Sequence, residues 1–346
     1  MTHFNHLRDR TGSSEPLLIS IVVPCCDEGQ TLAILFDRYC CLASLLCEEY
    51  NYDTELVLVD DGSRDGTWLR ICGLVSVDQR VRGIRLSRNF GHQAALSCAY
   101  EHARGNAIVS LDADGQDPPE VVPEMVKAWR EGAEVVFAVR ELRVGESRFK
   151  RATAWLFYLL MNKLGARHVR RNVGDFRLLD RRALRVMLDV CGCRPFFRDA
   201  AGWIGFATAE VSYERHPRCA GETKYTFGRM CRLALDGLVS SSLRPLHFSW
   251  CAAAFPCGLA IAAFLAPSIL QQRGAVVTII AICCCAVVIL IGQGIQGLYL
   301  ARIYEECLGR PRYVVAERIG GSQNLQTEAR ENLASCPDGK CRDEKC

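Results

Sequence analysis

Two stretches in the C-terminal third contain no Asp, Glu, Lys or Arg: Leu246 to Leu270 and Gly274 to Ala301. A helix of about 20 apolar residues crosses the hydrocarbon core of a bilayer, and each stretch exceeds that length. Inside lipid every backbone polar group must be satisfied within the segment, so such stretches have to be helical. Gln271, Gln272 and Arg273 lie between them, which predicts a helical hairpin closed by a very short turn. Arg229, Arg232 and Arg244 precede the hairpin, and Arg302, Arg310 and Arg312 follow it. Basic residues flanking membrane helices stay on the cytoplasmic side. Both ends, and everything N-terminal to the hairpin, are therefore expected in the cytoplasm.

The rest of the composition mostly excludes. A chain of 346 residues accommodates one or two domains. Its net charge of +3 gives no signal for nucleic acid. Residues 1–16 are polar and mixed in charge, with no apolar core of a signal peptide. The 20 cysteines would suit a disulfide scaffold, but a cytoplasmic setting argues against one. Cys25-Cys26, Cys40-Cys41 and Cys283 to Cys285 are adjacent rather than spaced for a metal, and read as small apolar residues. Cys336, Cys341 and Cys346 fall in a polar tail expected to be disordered from about Gly320.

Ahead of the hairpin, strands alternate with helices of about ten residues or more. Leu18 to Pro24 reads as a buried strand and Thr31 to Glu49 as a helix. Strand Glu55 to Asp60 leads into the turn Asp61-Gly-Ser-Arg-Asp-Gly66, then a helix from about Thr67 to Val77. A strand at Arg82 to Leu86, a helix at His92 to His102, a strand at Asn106 to Leu111, a helix at Pro119 to Arg130 and a strand at Glu134 to Val139 complete the series. That order predicts a parallel, doubly wound α/β sheet. Longer amphipathic helices are expected at Phe149 to Leu164 and, on the membrane interface, at Arg229 to Val239.

The strand ending at Leu111 delivers Asp112-Ala113-Asp114-Gly-Gln116-Asp-Pro118-Pro119-Glu120. Two carboxylates at i and i+2 in a turn, with an amide beside them, can converge on one hard cation. Mg²⁺ and Mn²⁺ prefer such oxygens and leave their other positions to water and substrate phosphates. The carboxyl end of a sheet strand is also where open α/β sheets bind their ligands. By contrast Gly292-Gln-Gly294-Ile-Gln-Gly297 matches a dinucleotide fingerprint only in spelling. It sits inside an apolar span with no strand before it, and reads as a close helix-packing surface.

Six motifs in order then carry a resemblance over about residues 18 to 316. They are Val23-Pro24-x-x-x-Glu28, Val59-Asp60-Asp61-Gly62-Ser63, Leu86-Ser-Arg88-Asn89-Phe-Gly91, Asp112-Ala113-Asp114-x-Gln116-x-Pro118-Pro119-Glu120, Gly174-Asp175-Phe-Arg177-Leu and Arg218-x-x-Gly221-Glu222-Thr-Lys224. The chain resembles the polyprenyl-phosphate sugar transferases, a branch of the family 2 inverting glycosyltransferases with the GT-A fold. Around Gly174 to Asp180 it looks more like the bactoprenol glucosyltransferases than the dolichol enzymes.

The resemblance implies a membrane-anchored enzyme that moves one sugar from a nucleotide-diphosphate sugar to a polyprenyl phosphate. Glucose from UDP-glucose to undecaprenyl phosphate fits best. A GDP-mannose-dependent enzyme, a processive polysaccharide synthase or a non-catalytic partner of the same fold are the alternatives. Pro24, Cys26, Glu28, Val59 and Asp61 match positions that hold base and ribose; Cys26 stands where the family usually has Tyr. Asp112, Ala113 and Asp114, with Arg140, Arg218 and Lys224, complete the nucleotide-sugar site. Asp112, Asp114 and Gln116 would hold Mg²⁺ or Mn²⁺, and Arg177, Arg218 and Lys224 would meet the acceptor phosphate. Asp175 matches the proposed catalytic base, although an acceptor phosphate with a second pKa of about 6 is already mostly ionised and Asp175 could equally orient the sugar or the metal.

The expected map is a flexible 1–17, a GT-A (Rossmann-like) domain over 18–228, an interfacial helix over 229–244, two transmembrane helices over 245–302 and a cytoplasmic tail over 303–346. The implied setting is the cell inner membrane, multi-pass, with a homo-oligomer and no nucleic-acid partner.

Overall fold

In a computed structural model of the chain, residues 17–141, 172–192, 195–214 and 267–321 are described, with the single positions 246 and 258. The expected helix at 149–164, the interfacial helix at 229–244, most of the first apolar span and the tail beyond 321 lie outside these residues.

The first half follows the predicted alternation. In order come β1 (Leu18–Cys25), α1 (Leu32–Tyr50), β2 (Asp53–Asp60), α2 (Thr67–Val77), β3 (Val81–Leu86), α3 (His92–His102) and β4 (Ala107–Ser110). A 3₁₀ turn at Pro119–Val121 opens α4 (Val122–Arg130), and β5 (Val135–Arg140) follows. The helix predicted from Pro119 thus begins as a tighter turn, with prolines near its start where a missing N–H costs nothing. Beyond the predicted series lie β6 (Val173–Asp180), α5 (Arg181–Val190), α6 (Phe197–Trp203), β7 (Thr208–Tyr213), α7 (Pro267–Cys307) and β8 (Val315–Ile319).

The eight strands form one sheet in the order β7-β5-β6-β4-β1-β2-β3-β8. It is mixed rather than purely parallel: β6 runs antiparallel to both β4 and β5, and β8 antiparallel to β3. The central strands are apolar on both faces because both faces are covered. Ile19, Ile21, Leu56 and Leu58 pack beneath α1 and α4, through Leu35, Leu42, Met125 and Val126. Val22, Val57, Val59 and Ile84 face the other way, onto Ala95, Leu96 and Ala99 of α3 and Ala183, Leu184 and Met187 of α5.

The C-terminal region departs from expectation in one respect. The chain is helical straight through Gln271 to Arg273, inside the single 41-residue α7, so the short turn predicted there is absent. Within α7, Ile282–Cys307 is long and apolar enough to cross a membrane, and only 6% of its apolar window is buried in protein. After α7 the chain returns to the sheet. Ser87 N donates to Val314 O at 2.9 Å, β8 pairs with β3, and Trp68 Nε1 donates to Glu317 at 3.1 Å. Arg312 donates to the carbonyls of Leu188 and Cys191, and Tyr313 to Glu101, fixing the approach to β8.

Candidate active site

The carboxyl ends of β1, β2, β4 and β5 meet at one edge of the sheet, and antiparallel β6 begins there. Pro24 and Val59 are register partners and both buried. Proline is tolerated in this central strand because β4 has already ended opposite Val22, so no ladder bond is lost. Cys26 follows, half-buried, its sulfur accepting from Asn89 Nδ2 at 3.1 Å. Glu28 lies at the start of the α1 turn, accepting from Thr31 Oγ1 at 3.2 Å.

The acidic pair at the end of β2, Asp60 and Asp61, serves as a latch. Asp61 accepts from the backbone N–H groups of Phe90 at 2.7 Å and Gly91 at 2.9 Å, and is buried. Burial pushes its carboxyl up, against the pull of those two donors. Its oxygens are thus occupied by the Asn89-Phe90-Gly91 turn. Asp60, fully buried, accepts from Ser63 N at 3.1 Å. Gly62 has φ +65, and a Cβ there would fall 2.5 Å from the carbonyl carbon of Arg88, so only glycine lets these two loops close on one another.

Register pairs Ser110 of β4 with Arg177 of β6. Two positions further on, Asp112 leaves the strand at the level of Asp175. Asp112 and Asp114 are both partly open, Ala113 between them is buried, and Gln116 N donates to Asp114 Oδ1 at 3.1 Å. Gly115, at φ +72, folds this loop back. Two accessible carboxylates at a strand end fit a hard divalent cation, with further ligands left to diphosphate oxygens and water. Asp112 and Asp114 are the side chains that would hold such a cation, and no group of three or more His, Cys, Asp or Glu suited to a metal exists among the described residues. Arg140, at the end of β5, donates to Tyr213 OH at 2.9 Å and lies against Gly174, where a Cβ would meet its guanidinium at 2.6 Å.

Asp175 is 4% exposed and surrounded by donors. Arg177 Nη2 lies 2.6 Å away, Arg198 Nη2 2.9 Å, Gln93 Nε2 3.2 Å and His92 Nε2 3.4 Å. Desolvation favours the neutral acid, but Arg198, His92 and Arg177 outweigh it and hold the carboxyl well below the usual range. His92 Nε2 also lies 3.7 Å from Asp112 Oδ1. Against desolvation, the neighbouring Asp175 and Asp112 raise the ring to about 9, a pull that solvent partly screens because the side chain is 44% exposed.

Arg177 does not occupy the place expected of an acceptor-phosphate ligand. It is 0% exposed, donates to Asp175 and to the carbonyls of Gly174 and Phe197, and presents no surface to a lipid. Arg218 and Lys224 lie outside the described residues. His92, Gln93 and Arg198 were not singled out in the sequence. His92 and Gln93 directly follow the Asn89-Phe90-Gly91 motif at the start of α3, which was a usable signal; Arg198 had none.

The model of the family described as Glycosyl transferase family 2 matches residues 20–188. The chain is 37% identical to an uncharacterized glycosyltransferase of Bacillus subtilis, YkcC, over 89% of its own length and 96% of the relative's. The chain belongs to glycosyl transferase family 2. It is also 34% identical to the bactoprenol glucosyl transferase of Shigella phage SfX, over 87% of this chain and 99% of that one. Among solved structures, glucosyl-3-phosphoglycerate synthase from Mycobacterium tuberculosis, in complex with Mn²⁺ and UDP-glucose, aligns over 70% of this chain and 84% of its own with 22% identity and a TM-score of 0.45. In this glycosyltransferase the mixed sheet brings the candidate residues together at the carboxyl ends of its parallel strands.

Proposed function

We propose that this glycosyltransferase moves a single hexose, glucose from UDP-glucose, onto a polyprenyl phosphate at the cytoplasmic face of a membrane, with inversion at the anomeric carbon. The observation that carries the reading is the joining of two features. The carboxylates Asp112 and Asp114 and the Asp175 cluster share one sheet edge, while β8 ties the end of an exposed apolar helix to the same sheet. The naming of similar proteins as bactoprenol glucosyl transferases supports the acceptor class.

In the reaction, an oxygen of the acceptor phosphate attacks the anomeric carbon as the bond from that carbon to the diphosphate breaks. The nucleotide diphosphate leaves with the bonding electrons. A dianionic phosphate monoester has no proton to lose above a pH of about 6, so the nucleophile needs no base. Held by Asp112 and Asp114, a divalent cation would neutralise charge on the leaving group. Arg140, with Arg218 and Lys224 by resemblance, would add cationic donors to the phosphates. Pro24, Cys26, Glu28 and Val59 line the strand ends where base and ribose would lie. Cys26 offers no aromatic face for stacking, so hydrogen bonding has to carry base selection.

The anchor follows from counting crossings. Residues 18–140 and 315–319 belong to one sheet and so lie on one side of any membrane. If Ile282–Cys307 crosses, a second crossing must occur before Pro267, and the charge-free residues 246–266 are long enough to supply it. We propose two crossings on this ground, with the bend N-terminal to α7 rather than at Gln271 to Arg273.

The test is transfer of radiolabelled sugar from a panel of nucleotide sugars to extracted membrane lipid. Label from UDP-glucose should appear in an acid-labile lipid phosphate. Label in a soluble acceptor, or in a lengthening polysaccharide, sinks the reading.

A further inference from the structure

We infer that Asp117 and Tyr213 are positioning residues for the donor's diphosphate, because together they tie the Arg140 guanidinium to the loop that carries Asp112 and Asp114. This rests on the reading above that Arg140 meets the donor's phosphates.

Asp117 is buried, a few positions past the carboxylates that would hold the cation. A carboxylate is kept in such a place when it is paired and hydrogen-bonded. Tyr213 OH donates to its Oδ1 at 2.7 Å, and Arg140 Nη2 lies 3.7 Å from the same oxygen. Arg140 Nε in turn donates to Tyr213 OH at 2.9 Å. The phenol therefore stands between the two charges, donating to the carboxylate and accepting from the guanidinium. Burial, and the Asp117 charge beside it, push the phenol well up, so it keeps its proton and its place as donor through the neutral range.

The sheet fixes each member. Arg140 and Tyr213 are register partners at the ends of β5 and β7. The Tyr213 ring is edge-on to the fully buried Phe176 of β6, with 5.3 Å between centroids. The loop is held by α1 as well, where Arg38 forks onto Glu120 through two contacts of 3.0 Å and donates to Gly115 O at 3.4 Å. Arg140 is also in reach of both parts of the site. Its guanidinium lies against Gly174, the residue before Asp175. Against desolvation, Tyr213, Asp117 and Asp112 all favour its charged form, so the Asp112 carboxylate is close enough to act on it. A guanidinium 25% exposed and already held at Nε has little rotamer freedom left to lose when a diphosphate arrives. Donors fixed before charge develops on the leaving group are worth more than donors that must first be ordered.

The experiment uses the full-length, detergent-solubilised protein carrying Tyr213→Phe, Asp117→Asn, Arg140→Ala, or Tyr213→Phe together with Arg140→Ala. Calorimetry gives dissociation constants for UDP with Mn²⁺, electron paramagnetic resonance gives those for Mn²⁺ alone, and thermal melting gives Tm. Tyr213→Phe keeps the ring against Phe176 and removes only the linking hydroxyl, so UDP with Mn²⁺ should weaken by about 5- to 20-fold. Arg140→Ala should weaken it by about 10- to 100-fold. In the Arg140→Ala background Tyr213→Phe should add less than about 2-fold, because the hydroxyl acts through the guanidinium. Mn²⁺ alone should bind Tyr213→Phe like wild type, and in Asp117→Asn it should weaken less than UDP with Mn²⁺ does. Should Asp117→Asn fail to fold, Tyr213→Phe still decides. Three results overturn the inference: full additivity of the two substitutions, a Tyr213→Phe protein with a lower Tm but wild-type UDP binding, or Mn²⁺ alone weakened in Asp117→Asn as much as UDP with Mn²⁺, which would make Asp117 a ligand. Arg140→Ala that binds UDP with Mn²⁺ like wild type overturns this inference together with the phosphate role of Arg140. Arg140→Ala that weakens binding while Tyr213→Phe matches wild type overturns this inference alone.

Discussion

Asparagine at position 175 keeps the shape of the side chain and removes its charge, so it isolates what the carboxylate does for the fold. Arg177 is 0% exposed and would lose the anion it pairs with, leaving a buried cation against the carbonyls of Gly174 and Phe197. Breaking a buried pair by removing one member costs about 3–5 kcal/mol. Arg198, 35% exposed, adds less because water screens it. For a domain of this size about 2–4 °C follows each kcal/mol, so Asp175→Asn should lower Tm by roughly 6–20 °C at pH 7. Differential scanning fluorimetry in detergent reads this directly. The pH dependence has a definite sign. Because the folded carboxyl is held below its ordinary value of 3.8, its contribution is complete above that value and fades as pH falls through the folded pKa. The gap between wild type and variant should therefore stay constant from neutral pH down to about 4 and narrow only below it. Replacing both partners, Asp175→Asn with Arg177→Met, should recover much of the loss. A shift under about 2 °C at pH 7, or a gap that closes by pH 6, would refute the buried-pair argument.

Asp114→Asn removes charge from a partly open loop position, so transfer should fall by about 100-fold or more while Tm is unchanged; full activity without added divalent cation would remove the metal from Asp114. Wild-type activity should decline as pH drops through about 6, where the acceptor phosphate takes up its second proton, and the residual activity of Asp175→Asn should keep that same limb. An acid limb that disappears in the variant would restore Asp175 as the base. A reporter that is active only outside the cytoplasm should be active when fused after Gln272 and silent when fused after Gly320; the reverse pattern contradicts the hairpin.

Legibility in the sequence followed how local the determining forces are. Helices and strands up to Val139 were readable because each shows its own periodicity, and several stop at a Gly, Asp or Pro. The carboxylate pair Asp112 and Asp114 stood out for the same reason, since its spacing is local. β6 was not, because Val173-Gly-Asp-Phe-Arg-Leu-Leu-Asp180 places three charged residues in what proves to be a central, buried strand. Arginine is almost never fully buried unless paired, so Arg177 read as a free cation until its partners came into view. Arg198, Gln93 and Asp175 are brought together from three separate elements, and no spacing rule connects them. β8, Val-Ala-Glu-Arg-Ile, is a short edge strand whose pairing depends on a partner far back in the chain.

That last strand bears on how the protein is made. Until β8 arrives, β3 is the bare margin of a sheet, an open row of N–H and C=O groups of the kind that recruits other chains. The strand that covers it is tied down further by Trp68 of α2 donating to Glu317, a contact that spans 249 positions. If the apolar helix crosses a bilayer as proposed, it is handed over during synthesis before the residues that seal the sheet have left the ribosome. On that reading insertion becomes a step in finishing the sheet, and a chain stalled or cut short after α7 would carry an adhesive edge at β3.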